Sequence, residues 1–170
     1  SSRPRAEPKA SITPPSASFL ATVQPNERWV YVDRDHQVLV AYVGLRPVMI
    51  TLVSSGRGRF ATHLGEFRIS RKQEVGTMRD HDPARGTRAY HISGIPGIQY
   101  FNGGEAFHGA FWHDRFGEVM SHGCVNLSLA DAQWLYDFTN AVAPPAPRGA
   151  RNAPPVAPTG SRVVIAGTSR

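Results

Sequence analysis

The stretch WVYVDRDHQVLVAYVGLRPVMITLVSSG, residues 29–56, is the part of the sequence that most clearly predicts a fold. Its apolar residues are mostly β-branched, they partly alternate with polar ones, and RDH and Gly44 divide them into three runs. Short runs of this composition between turn residues are typical of β-strands. The stretch therefore predicts a β-meander and a mainly β protein.

Further strand-like runs follow the meander, although they are shorter. They lie at residues 66–70, 89–92, 98–101, 106–108 and 162–166. The segments GIPG and NGG between them are predicted to be turns. The polar run QEVGTMRDHDPARGTR, residues 73–88, is predicted to be a long surface loop, and such loops commonly border functional sites.

One helix is predicted, by the run SLADAQWLYDFTNAV that begins at Ser128. Ser128 and Asp131 have the spacing of a capping box, and Leu135, Phe138 and Val142 form one apolar face. Two prolines then end the helix. The fold prediction is thus a mainly β domain with one docked helix.

The length of 170 residues predicts one folded domain. Residues 1–28 are rich in Pro, Ser and Ala and are predicted to be a linker, residues 29–167 to be the domain, and residues 168–170 to be a tail. No apolar run approaches the roughly 20 residues of a membrane span, and no signal peptide is visible. Because the sequence starts at Ser1 and not at Met, we expect a trimmed or mature form.

The net charge of +6 is concentrated at the two ends of the chain. Residues 29–147 contain eleven basic and eleven acidic side chains, and so the centre of the chain is neutral. A protein that follows a phosphate backbone needs a basic stripe, which this region does not contain. We therefore do not expect nucleic acid as a partner.

Cys124, in the run SHGCVN, is the only cysteine, which excludes an internal disulfide and any multi-cysteine metal site. A free thiol is only about 3% ionised at pH 7, so a nucleophilic Cys124 needs a base. His122 would share a strand face with it, and His108 lies 16 residues upstream, so both remain candidates. Gly123 would let a carbonyl oxygen approach the Gly123 and Cys124 amides, as in an oxyanion hole. A zinc site formed by His108, His122 and Cys124 has only three ligands and lacks the usual spacing.

A histidine followed by SHGCVN resembles the signature of the L,D-transpeptidase catalytic (YkuD-type) domain family. The block from residue 95 to 139 is similar to the active-site region of that family throughout, and residues 28–56 resemble its opening strands. The resemblance covers about two thirds of the chain. It implies a β-sandwich-like fold.

The resemblance implies that Cys124 is the nucleophile, that His108 is the general base, and that the Gly109 carbonyl orients His108. His122 would then have a supporting role, and the amides of Gly123 and Cys124 would bind the oxyanion. The implied reaction is acyl transfer on peptidoglycan stem peptides through a thioester, with no metal or cofactor.

Five further residues are candidates for substrate binding: Tyr90, Ser121, Asn126, Trp112 and His113. The sequence leaves alternatives open for several of them. Tyr90 and Trp112 would also suit core packing, Asn126 would suit a hydrogen bond to the turn after the cysteine, and His113 would suit a loop cap.

Two segments depart from the pattern of the family. Thr62, His63, Leu64 and Gly65 replace the usual Thr-Pro-x-Gly turn, which predicts a less rigid turn and an exposed His63. Gly97 stands where related sequences often have Trp, which predicts the loss of one aromatic wall of the cleft.

The implied partners are donor and acceptor stem peptides, with carbapenem-type β-lactams as covalent inhibitors and a location in the cell envelope, periplasmic or extracytoplasmic. Three alternatives remain from the sequence. The same chemistry would serve an L,D-carboxypeptidase or endopeptidase if water were the acceptor, and an enzyme that anchors proteins if the acceptor were a lysine. A non-catalytic peptidoglycan-binding module would retain the fold but would need neither the cysteine nor the histidine.

Overall fold

The computed structural model describes residues 12–80, 90–141 and 160–168. Within these ranges the chain forms two β-sheets with one main helix, which confirms the mainly β prediction. The strands are β1 (Arg28–Asp33), β2 (Val38–Val43), β3 (Arg46–Leu52), β4 (Gly65–Arg68), β5 (Arg71–Asp80), β6 (Tyr90–Asn102), β7 (Glu105–Gly109), β8 (Val125–Leu127) and β9 (Arg162–Ala166). The helices are α1 (Ala17–Leu20) and α2 (Leu129–Phe138).

The first sheet has the strand order β3-β2-β1-β9-β4. Strands β1, β2 and β3 are the predicted antiparallel meander. Strand β9 lies between β1 and β4, parallel to β1 and antiparallel to β4. The chain therefore returns to the middle of the first sheet, as the apolar run at residues 162–166 predicted.

The second sheet has the order β5-β6-β7-β8, in which β7 and β8 are parallel. Alternate residues of β1, β2, β8 and β9 face a core cluster that contains side chains from both sheets and from α2. Its members include Val30, Val32, Leu39, Val163, Ile165, Phe107, Val125, Leu127, Ala132 and Leu135. The polar residues that alternate with Phe107 and Val125 face away from this core, toward a cavity.

Helix α2 begins where the sequence predicted, because the hydroxyl of Ser128 accepts a hydrogen bond from the Asp131 amide at 3.2 Å. The Asp131 carboxylate does not complete a capping box but accepts a hydrogen bond from Thr51 at 2.6 Å, which ties the helix to β3. The helix ends at Phe138, and Val142 lies outside the described residues. Neither helix in the described ranges has the length and apolar composition that crossing a membrane requires.

The sequence interpretation was wrong at β5 and β6. Residues 71–80 are a strand and not the start of a surface loop, while residues 81–89 lie outside the described residues. Among the described residues, strand β5 pairs only with β6, and the side chains of residues 71–79 are exposed or half-buried, so its polar composition gives no strand signal. Strand β6 continues through the predicted GIPG turn, because Gly94 (φ 70°) and Gly97 (φ 65°) accommodate local bends within one strand.

The predicted linker also contains ordered structure. In its described part, α1 buries Phe19, whose ring centroid lies 4.9 Å from that of Trp29 on β1. The Thr13 amide donates to the Asp33 carboxylate at 3.0 Å. A helix of four residues is too short to show an apolar period, which is why composition alone indicated a linker. Residues 1–11 lie outside the described part of the chain.

Candidate active site

The register of β7 and β8 brings the predicted nucleophile and base to one face of the second sheet. His108 lies opposite Asn126 in the parallel ladder, and Cys124 precedes β8 by one residue. Because side chains alternate along a strand, Asn126 and His108 share a face, while Phe107 and Val125 face the core. Cys124, in the bend before β8, lines the same cavity as Asn126 and His108. All three polar residues line one cavity of about 1150 Å³.

His108 is buried and holds a defined tautomer. Its Nδ1 lies 3.0 Å from the carbonyl oxygen of Gly109, and since a carbonyl only accepts hydrogen bonds, Nδ1 carries the proton. Burial lowers the pKa of His108 to about 4, although the hydrogen bond to Gly109 acts in the opposite direction. The ring is therefore neutral at pH 7, with an unprotonated Nε2 that can accept a proton.

Cys124 is a protonated thiol in the unliganded site. Burial raises the pKa of Cys124 to about 11, and the negative charge of Glu105 acts in the same direction, while a hydrogen bond from the Ala106 amide opposes both. The thiol points toward the carbonyl oxygen of Gly104 at 3.6 Å. Because the pKa of His108 is low and that of Cys124 is high, the resting pair is neutral and not a thiolate–imidazolium pair.

The backbone around Gly123 is held by two hydroxyl groups. Thr62 Oγ1 donates to the Gly123 carbonyl at 2.8 Å and accepts from the Gly56 amide at 3.0 Å. Ser121 Oγ accepts from the Gly123 amide at 3.2 Å and donates to the Cys124 carbonyl. The Gly123 carbonyl and the Cys124 amide belong to the same peptide unit, so Thr62 fixes the direction of the Cys124 N–H.

The two amides of the predicted oxyanion site differ in their hydrogen bonds. The Gly123 amide is occupied by Ser121, whereas the Cys124 amide donates to none of the described residues. The Cys124 amide is thus the one of the two that can meet an oxyanion. Ser121 is buried and lines the same cavity, and its hydroxyl also joins the backbone of Gly123 and Cys124. Thr62, which the sequence had marked only as part of an unusual turn, is the residue that orients the donor.

His122 lies at the cavity wall and does not share a strand face with Cys124. Residues 122–124 form bends, with Gly123 at φ 129°, so the extended backbone predicted from the sequence is absent. The exposed His122 ring packs edge-on against Phe60, with centroids 5.1 Å apart, and is stacked with Tyr90 at 5.7 Å. Both Tyr90 and His122 line the cavity, and neither is a core residue.

Trp112 and His113 occupy different positions although they are adjacent. The half-exposed Trp112 ring lines the cavity, with its centroid 5.8 Å from that of His108. His113 is not among the lining residues; it accepts a hydrogen bond from the Arg115 amide and contacts Asn126. In the part of the chain that the structure describes, no three His, Cys, Asp or Glu side chains are grouped so that they could hold a metal ion.

A family model described as the L,D-transpeptidase catalytic domain matches residues 27–165. This chain belongs to the L,D-transpeptidase catalytic domain family. Comparison with curated proteins gave no match.

Solved structures of L,D-transpeptidases share the fold of this domain. The enzyme from Mycobacterium smegmatis is 23% identical with a TM-score of 0.65, and the alignment covers 82% of this chain and 58% of that one. The Enterococcus faecium enzyme is 19% identical with a TM-score of 0.62, covering 82% and 49%. L,D-transpeptidase 3 from Mycobacterium tuberculosis, solved with a faropenem-derived adduct, is 18% identical with a TM-score of 0.61, covering 81% and 59%. The chain thus spans about half to three fifths of the length of these relatives.

This L,D-transpeptidase domain places a carboxylate beside its thiol, which the sequence interpretation missed. Glu105 Oε1 accepts from the His63 amide at 3.1 Å and from His63 Nδ1 at 2.9 Å, and Oε2 accepts from Asn102 at 2.9 Å. The Glu105 side chain is only 12% exposed, and a Cβ at Gly123 would lie 3.3 Å from Oε1. The exposed His63, which replaces the usual proline, was the one sequence signal for this cluster.

The second departure, Gly97, does not widen the cleft as predicted. A Cβ at this position would lie 3.0 Å from the carbonyl oxygen of Ala132, so Gly97 faces the backbone of α2. It is not among the residues that line the cavity. The close approach of β6 to α2, together with φ 65°, is what requires glycine at this position.

Proposed function

We propose that this chain is the catalytic domain of an enzyme that forms or exchanges peptidoglycan cross-links by acyl transfer through a thioester at Cys124. The proposal rests chiefly on the neutral tautomer of His108, whose bare Nε2 shares the cavity face with the thiol. A base that is neutral at pH 7 is what a protonated nucleophile requires. Membership of the L,D-transpeptidase catalytic domain family supports the same chemistry.

In the first half-reaction, Cys124 Sγ attacks the carbonyl carbon at the L-centre of a diamino acid in the donor stem, and the thiol proton moves to His108 Nε2. The carbonyl oxygen becomes an oxyanion and accepts a hydrogen bond from the Cys124 amide. Collapse of this intermediate breaks the C–N bond. The terminal D-amino acid leaves as an amine that takes the proton from His108, and the acyl group remains as a thioester.

In the second half-reaction, an amine of an acceptor stem attacks the thioester carbonyl and gives its proton to His108. The C–S bond then breaks, and Cys124 regains the proton. If water replaces the amine, the same residues catalyse carboxypeptidase or endopeptidase cleavage, and if a lysine of an envelope protein replaces it, they anchor that protein. A non-catalytic module would need neither Cys124 nor His108 in this arrangement.

The proposed substrate places the protein in the cell envelope, outside the cytoplasm. It also suggests inhibition by β-lactams, because a strained lactam carbonyl presents the same electrophile as the stem peptide bond. The structure of L,D-transpeptidase 3 from Mycobacterium tuberculosis contains a faropenem-derived adduct. For this chain we propose an equivalent adduct on Cys124.

The function is tested by incubating the protein with purified disaccharide-tetrapeptides and analysing the products by mass spectrometry. Cross-linked dimers support transpeptidation, and loss of the terminal residue without dimers supports the hydrolytic variant. A Cys124→Ala protein with an unchanged circular dichroism spectrum is the control. The proposal fails if the wild-type protein leaves the substrate unchanged, or if the alanine variant forms products at the wild-type rate.

A further inference from the structure

The cavity contains a buried polar group whose hydrogen-bonding capacity the described residues do not satisfy. Asn126 is 2% exposed. It follows Cys124 by two residues in the sequence and pairs with His108 in the β7–β8 ladder. Its Nδ2 lies 3.1 Å from His113 Nε2. Its Oδ1 is buried and has no hydrogen-bond partner among the described residues.

The hydrogen bonds of His113 determine which end of the Asn126 amide faces it. The Arg115 amide donates to His113 Nδ1 at 3.1 Å, so Nδ1 carries no proton. Burial lowers the pKa of His113, and the charge of Arg115 adds to this effect although Asp114 opposes it, so the ring is neutral and its proton is on Nε2. His113 therefore presents a donor, not an acceptor, to Asn126.

Two donors facing each other at 3.1 Å form no hydrogen bond, but a half-turn of the Asn126 amide resolves the conflict without moving any other atom. Oδ1 then accepts from His113 Nε2. The NH₂ group takes the buried position that has no partner among the described residues. Leaving a buried donor unpaired costs about 1–3 kcal/mol, so this position favours a ligand that brings an acceptor.

We infer that His113 is a positioning residue that turns the Asn126 amide so that its NH₂ group donates to a carbonyl oxygen of the bound stem peptide. The inference rests on the proposed function for the identity of the ligand. His113 does not line the cavity, and the hydrogen bond that it makes toward the cavity goes to Asn126. Because Asn126 follows Cys124 by two residues and lines the same cavity, a peptide bound with its carbonyl at Sγ occupies the cavity beside this amide.

The first test is a double-mutant cycle, measured as kcat/KM for the disaccharide-tetrapeptide. His113→Ala and Asn126→Ala should each lower kcat/KM about tenfold, and the double variant should lose no more than either single one. His113→Gln, which retains a donor at the position of Nε2, should recover most of the activity.

Glu118→Gln is the matched control, because it breaks the exposed pair with Arg115 in the same loop but leaves both the Arg115 amide and the Arg115 charge in place. It should keep wild-type kinetics. If the losses of the two alanine variants multiply in the double variant, or if Glu118→Gln costs as much as His113→Ala, the histidine merely holds the loop and the inference is overturned.

The second test does not depend on turnover. In the ¹⁵N-labelled Cys124→Ala protein, the His113 ring should show a protonated Nε2 and a bare Nδ1. The side-chain NH₂ signals of Asn126 should move when the tetrapeptide is added, and should not move in the Cys124→Ala/His113→Ala protein. A protonated Nδ1, or Asn126 signals that do not respond to saturating tetrapeptide, would overturn the inference.

The two tests separate the two proposals. If the Asn126 signals move on binding but the wild-type protein gives no products, the proposed acyl transfer fails and the inference stands. If products form but the Asn126 signals do not respond, the inference alone fails.

Discussion

Thr62→Val removes one hydroxyl group at a fully buried position and leaves a side chain of nearly the same shape. The lost hydroxyl donates to the Gly123 carbonyl at 2.8 Å and accepts from the Gly56 amide at 3.0 Å. Two backbone groups therefore lose their hydrogen-bond partner. Each group left unpaired in the interior destabilises the folded state by about 1–3 kcal/mol. Since the loop can relax in part, we expect the free energy of unfolding to fall by about 2–4 kcal/mol.

The same substitution should slow catalysis, because the peptide unit between Gly123 and Cys124 loses the contact that orients its N–H. Removing an oxyanion donor altogether costs about 10²–10³ in kcat. Here the donor is still present but is no longer held in place, so we expect kcat to fall about 10- to 100-fold with little change in KM.

The matched control is Thr62→Ser, which retains the hydroxyl and loses only a methyl group. Urea unfolding and steady-state turnover of the disaccharide-tetrapeptide should place this variant close to the wild type in kcat and above Thr62→Val in stability. If the serine and valine variants lose kcat equally, packing of the methyl group and not the hydroxyl holds the site, and the argument for an oriented Cys124 amide is refuted.

Two further predictions concern the thiol of the site and the charge beside it, and a third concerns a carboxylate at the end of β1. Carbapenem treatment should give one adduct per chain in the intact mass spectrum, which Cys124→Ala should lack; an adduct in that variant would place the reactive group elsewhere. Glu105→Gln should lower the pKa of Cys124 and speed thiol alkylation at fixed pH, because the charge beside the thiol is removed; an unchanged alkylation profile would contradict this. Burial tends to raise the pKa of Asp33, but hydrogen bonds from His36 and the Thr13 amide outweigh it and lower the pKa overall. The ionised Asp33 thus stabilises the fold above about pH 4 and this stability is lost as the pH falls, so Asp33→Asn should flatten acid unfolding curves, and a curve that keeps its wild-type slope would argue against it.

The sequence predicted the parts of the fold in which local pattern and burial agree. Strands β1 to β3 and β9 have apolar runs because they lie against the core, and α2 begins at a serine that caps it. Strand β5 could not be predicted, because an exposed edge strand needs no apolar period. The bends in β6 were interpreted as a turn, because glycine is common both in turns and at bends within strands.

In the candidate site, too, local sequence patterns predicted some residues and missed others. Cys124, His108 and Gly109 are close in sequence or lie on paired strands, and the family motif marks them. The pairing of Glu105 with His63 joins residues 42 positions apart and leaves no local pattern. The link from Thr62 to Gly123 spans 61 positions, so only the three-dimensional arrangement shows that this threonine orients an amide.

The insertion of β9 between β1 and β4 has a consequence for how the protein is made. The pairing of Val30 with Val163 joins the first strand to the last, and the first sheet has no continuous hydrogen-bond ladder until both are present. A chain that is still being synthesised can form the β1–β3 meander but cannot attach β4 to it before residues 162–166 emerge from the ribosome. Contacts of such long sequence separation slow folding. Until then the backbone N–H and C=O groups on the edge of β1 that β9 later covers have no partner in the first sheet, and such an edge is prone to pair with other chains.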